Sequence, residues 1–166
     1  MNLFIKLTFL TILSFVVIAC NQTNDAPVNK LFEVKADYSK CLENDIKIIE
    51  NEPIATTVEY SFNNDVLSIK HLASGFNCCF DYILVSIEIK DNVITIKEND
   101  INPNCRCLCL RDISYDIKDI IPGKYTIRIT EPYLPENDTP IEFEVELKEN
   151  STGSQKFIRT TYPWNF

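Results

Sequence analysis

Residues 141–147 read Ile-Glu-Phe-Glu-Val-Glu-Leu. Apolar and acidic side chains alternate, and a period of two sorts them onto opposite sides of an extended chain. A helix would scatter the four apolar residues around its axis. The run therefore predicts a half-buried strand, with Ile141, Phe143, Val145 and Leu147 facing a core. Glu142, Glu144 and Glu146 then form a solvated row, a poor arrangement for the paired carboxylates of a glycosidase cleft.

The same period recurs upstream. Tyr125, Ile127 and Ile129 alternate with Thr126, Arg128 and Thr130 after a Pro122-Gly123 turn. Residues 81–90 place Ile83, Val85, Ile87 and Ile89 on one face. Asp91-Asn92 tolerates positive φ and turns the chain into a return strand over residues 93–97. Residues 57–62 and 66–72 form a second hairpin through Asn63-Asn64-Asp65. Residues 105–117 read as extended, with a bulge near Arg111-Asp112. Only residues 39–50, with Leu42, Ile46 and Ile49 at helical spacing, suggest a short helix or turn. Strands recurring at roughly ten-residue spacing predict an all-β fold, a single β-sandwich of about seven or eight strands over residues 31–166.

The stretch from Tyr115 to Ile127, with its Ile121-Pro122-Gly123-Lys124-Tyr125 core, resembles late strands of immunoglobulin-like and fibronectin type III-like domains. The resemblance implies an immunoglobulin-like sandwich and nothing about activity.

Composition agrees with one packed domain: 166 residues, 45% hydrophobic and 11% aromatic, are too apolar for a disordered chain. The formal charge of −8 excludes a basic, phosphate-seeking surface, so no nucleic acid is expected as a partner. Three glycines leave no phosphate-cradling loop, and no cofactor is expected.

At the N-terminus, Lys6 precedes an apolar run that is short for a membrane span. It ends in Val17-Ile18-Ala19-Cys20, which resembles the lipobox of bacterial lipoproteins. That resemblance implies a cleaved signal peptide over residues 1–19 and acylation (palmitate-class chains) of Cys20. It also implies a lipid anchor in the cell envelope, with Asn21 favouring the outer membrane. An ordinary signal peptide with Cys20 as a bystander is the bland alternative. Residues 20–30 then serve as lipidated terminus and flexible tether. Membrane contact is expected through the lipid, and a protein or glycan partner is open.

Six further cysteines, Cys41, Cys78, Cys79, Cys105, Cys107 and Cys109, form an even set in an oxidising compartment, which favours disulfides. Cys105, Cys107 and Cys109 would share one strand face, with neighbours near the upper distance limit for a bridge and side chains parallel rather than convergent. A vicinal Cys78–Cys79 bridge is strained. Each of Cys105, Cys107 and Cys109 is therefore expected to pair with one of Cys41, Cys78 and Cys79, in an order the sequence leaves open. A soft-metal thiolate site is the alternative use of these residues, and no bound metal is the expectation. Asn77-Cys78-Cys79 and Cys105-x-Cys107-x-Cys109, followed by Tyr115-Asp116, resemble Cys-rich lipoproteins of the Bacteroidota, which implies no activity.

The single histidine, His71, shares parity with Leu67 and Ile69. It reads as a partly buried strand residue that contributes packing and one hydrogen bond, dispensable for function. No Gly-x-Ser-x-Gly elbow accompanies it. Residues 98–102, Glu-Asn-Asp-Ile-Asn, could offer oxygen ligands to Ca²⁺ but lack the EF-hand pattern. No catalytic residues are expected. The prediction is a non-enzymatic binding or structural module with the proline-rich loop over residues 131–140 as first candidate contact surface. An envelope enzyme with an unrecognised site is the alternative.

Overall fold

The computed structural model describes residues 30–42, 55–134, 138 and 140–159. The lipobox, Cys20, tether residues 20–29, residues 43–50 of the helix candidate and residues 160–166 lie outside the described residues, and Lys30 already belongs to a strand. Residues 39–42 carry no helix.

Nine strands are described: β1 (Lys30–Tyr38), β2 (Ala55–Asn63), β3 (Val66–Asn77), β4 (Tyr82–Lys90), β5 (Val93–Ile101), β6 (Leu108–Ile117), β7 (Gly123–Thr130), β8 (Ile141–Leu147) and β9 (Ser151–Ile158). The alternation that predicts them holds in three dimensions. Ile83, Val85, Ile87, Ile94, Ile96, Ile127, Ile129, Ile141 and Leu147 are all sealed from water. Two tight turns are built from the residues the sequence offers. Asn64 and Asp65 close β2 onto β3, and Asp91 and Asn92 close β4 onto β5, all four at φ of 50–61°. Asn and Asp tolerate this left-handed region, and it matches the strand twist.

The predicted two-sheet sandwich of seven or eight strands is corrected. The strands form a single sheet in the order β8-β7-β5-β4-β1-β6-β3-β2-β9, curled into a nearly closed barrel. The reason lies in β1, which belongs to both halves. Its residues 30–36 pair with β4, and Asp37 and Tyr38 then pair with Ser114 and Ile113 of β6. A strand that changes partners midway turns the corner that would otherwise separate two sheets. Within one half, β5 and β7 run parallel, and β6 supplies the crossover.

Among the described residues no ladder joins β8 to β9, so the barrel has a seam. Aromatic rings fill it: Tyr60 lies 6.2 Å from Phe143, and Phe143 lies 5.9 Å from Phe157, centroid to centroid. The seam sets a requirement at Gly153, which pairs with Tyr60 across β2 and β9. A Cβ there would fall 2.4 Å from the Tyr60 ring. Gly153→Val is therefore expected to displace that ring and cost about 1–3 kcal/mol, measured by urea unfolding.

The bulge expected near Arg111-Asp112 has its extra residues on the opposite strand. His71 pairs with Ile113 and Ser74 with Arg111, so Leu72 and Ala73 face Asp112 alone. Ala73 adopts φ 55°, and its N–H donates to the Asp112 carboxylate at 3.0 Å. Strand β6 begins at Leu108, leaving Cys105 and Cys107 in the preceding loop rather than on one strand face with Cys109.

Candidate functional site

The inward parity of β3 and β5 carries ionisable groups into the barrel interior. His71 is fully buried. Its Nδ1 lies 2.9 Å and 3.1 Å from the two Glu98 carboxylate oxygens, and its Nε2 lies 2.7 Å from Thr56 Oγ1. The Thr56 hydroxyl donates to the Leu72 carbonyl at 2.7 Å, so it accepts from Nε2–H. The carboxylate at Nδ1 also requires a donor. An acceptor thus faces each ring nitrogen, an arrangement that favours the doubly protonated imidazolium.

The network continues across the barrel. Glu98, itself 1% exposed, accepts from the Tyr115 hydroxyl at 2.9 Å. Ser74 Oγ sits 3.4 Å from both Glu98 and Glu131. Glu131 lies 3.8 Å from His71 Nε2 and forms an ion pair with Arg159. Two cations, His71 and Arg159, thus face two carboxylates, Glu98 and Glu131. The groups come from β2, β3, β5 and β6 and from the segments just past β7 and β9. Opposite charges that satisfy each other inside a barrel brace its two halves.

The electrostatics follow from burial. Desolvation alone would lower the His71 pKa, but the Glu98 carboxylate and, further off, Glu131 outweigh it, so the pKa rises above the ordinary 6.5. Burial pushes Glu131 up, against the pull of His71 and Arg159. Burial and the adjacent Glu98 push Tyr115 well up, which keeps its phenol protonated as a donor. Because folded His71 holds its proton more tightly than the unfolded chain does, its stabilisation is complete below about pH 6.5 and is lost as pH rises through the folded pKa. Urea midpoints are expected to fall between pH 6 and pH 9, and a His71→Gln chain should lack that slope.

Several expectations change here. His71 is fully buried rather than partly, and it makes hydrogen bonds through both nitrogens rather than one. Residues 98–102 do not form a cation loop. Glu98 points inward, and Asp100 accepts from the Asn77 N–H at 2.8 Å and from the Tyr133 hydroxyl. The 131–140 loop is not a free contact surface at its start, because Glu131 is 8% exposed on its side chain and ion-paired inside. Residues 135–137 and 139 of that loop lie outside the described residues.

The cysteines gather beyond the network at the same end of the barrel. Three disulfides join Cys41 to Cys109, Cys78 to Cys107 and Cys79 to Cys105, each spanning the two sets predicted to pair. Arg111 lies beside them, 8% exposed, donating to the Ser39 carbonyl at 2.6 Å and the Cys78 carbonyl at 3.4 Å. Its guanidinium carbon sits 5.0 Å from the Phe80 ring centre and 5.5 Å from that of Tyr38. Burial lowers its pKa, and Tyr38 opposes that shift.

A groove of about 600 Å³ runs over the outer face where β1 leaves β6 to follow β4. Lys35, Asp37, Glu59, Ser68, Lys70 and Asp116 are among its lining residues, and Ser68 Oγ donates to Asp116 at 2.6 Å.

Sequence reasoning missed the buried roles of Glu98, Arg111, Glu131 and Arg159. A signal existed for the first two. Glu98 shares the inward parity of Ile94 and Ile96, and Arg111 that of Cys109 and Ile113. No family model, curated protein or solved structure matches this chain.

Proposed function

We propose that this chain is a lipid-anchored lipoprotein of the cell envelope, held through acylated Cys20, whose barrel serves a non-enzymatic binding role. One observation carries the binding role. The chain's only imidazole is committed to a buried ion pair, whereas the outer groove presents hydroxyls and charges of both signs on rigid strands. Rigid positions lose little entropy on binding. Mixed charge and hydroxyls suit a polar ligand, with Ser68, Lys70 and Asp116 at the centre of the contact.

The anchor rests on the order of Lys6, the apolar run, Ala19 and Cys20. In a two-membrane bacterial host, the chain is expected to take up an alkynyl fatty-acid label and fractionate with membranes. Cys20→Ala should abolish labelling and leave the precursor uncleaved; labelling that survives would sink the anchor. For the groove, a glycan and peptide array probed with the domain should give ligands lost on Ser68→Trp, with the urea midpoint unchanged. Ligands retained by the folded variant would exclude the groove as the site.

A further inference from the structure

The Cys41, Cys78 and Cys109 sulfurs all lie within 4.8 Å of one another. Two disulfides therefore stand in near contact, Cys78–Cys107 and Cys41–Cys109. They differ in access: Cys107 is exposed, Cys78 and Cys41 are half-buried, and Cys109 is 2% exposed. Beside them sits a buried cation, Arg111. Among the described residues no carboxylate forms an ion pair with Arg111, and its buried Nε–H has no acceptor. A buried guanidinium held, among the described residues, by two carbonyls and two rings is costly, because a desolvated charge is compensated best by an anion. Opening Cys78–Cys107 would generate an anion at Cys78, whose carbonyl Arg111 already grips.

We infer that the two neighbouring disulfides form a thiol-exchange relay, in which an external dithiol opens Cys78–Cys107 and the freed Cys78 thiolate opens Cys41–Cys109. A thiolate of the dithiol attacks the exposed Cys107 sulfur, forming a mixed disulfide and expelling the Cys78 thiolate. The low pKa favoured by a nearby cation makes that sulfur the better leaving group. The Cys78 thiolate attacks the Cys109 sulfur and forms Cys78–Cys109. It expels the Cys41 thiolate, which is better hydrated than buried Cys109 would be. The second thiol of the dithiol then releases Cys107 and closes its own disulfide. One dithiol loses two electrons, the chain gains them as thiols at Cys41 and Cys107, and one bridge survives between Cys78 and Cys109. The Cys79–Cys105 bridge takes no part.

The test uses the full chain in detergent with one equivalent of dithiothreitol, an acid quench, alkylation and peptide mapping. Cys41 and Cys107 should be alkylated together, and a Cys78–Cys109 peptide should appear. Alkylated Cys78 and Cys107 beside an intact Cys41–Cys109 bridge would overturn the relay. A Cys78→Ser/Cys107→Ser chain should open Cys41–Cys109 at least tenfold more slowly, and an unchanged rate would likewise overturn it. Arg111→Lys keeps a cation and should preserve the rate. Arg111→Met should slow the first step about threefold for each unit by which the Cys78 pKa rises. Equal rates in both variants would remove Arg111 from the scheme.

Discussion

A His71→Gln chain is expected to lose about 3–5 kcal/mol of folding stability at pH 6, read as a lower urea midpoint at unchanged slope. The carboxamide is neutral. It leaves the Glu98 carboxylate, 1% exposed, without its cation, and Glu131 with Arg159 alone. A buried carboxylate stripped of its partner keeps its desolvation cost and loses the attraction that offset it. The double variant His71→Leu/Glu98→Leu gives the contrast: removing both charges and filling the space should cost far less than either single change. Equal losses in the single and double variants would show that the ion pair is not the reason.

Replacing Cys41 and Cys109 by Ser is expected to cost about 4 kcal/mol in the chain-entropy account, the largest effect of the three bridges because this pair closes the longest loop. The sequence separation is 68 residues, against 29 and 26 for the others. The bridge also ties the segment after β1 to β6, where the Ser39 N–H donates to the Asp112 carbonyl and the Leu42 N–H to the Leu110 carbonyl. Thermal unfolding of the three double-Ser chains should rank Cys41–Cys109 as the costliest loss. An equal loss for all three would contradict the loop-length argument.

Strand placement was legible in the sequence because alternation and turn chemistry are local. Residues 141–147 and the Asp91-Asn92 turn specify their own conformation. Closure was not legible, because it depends on β1 exchanging one partner for another, and no local pattern marks such an exchange. The buried network was half legible. Glu98 follows Ile94 and Ile96 in step, so its inward direction could be read from parity, but its partners could not. His71, Glu131 and Arg159 reach Glu98 from distant strands, and a single charged residue at a core position carries no label naming its counter-ion. The groove, too, is a product of divergence between β1 and β6 and leaves no trace in either strand alone.

The shared strand β1 has a consequence for the order of events in the growing chain. It is the first of the described strands, yet both of its partners come later, β6 only after four other described strands. Until β6 is made, Asp37 and Tyr38 have no strand to pair with, while the β2–β3 and β4–β5 hairpins can already close locally. Barrel formation must therefore wait on contacts distant in sequence, the kind that slow folding through loop-closure entropy. While β1 waits for β6, its unpaired backbone is open to wrong partners.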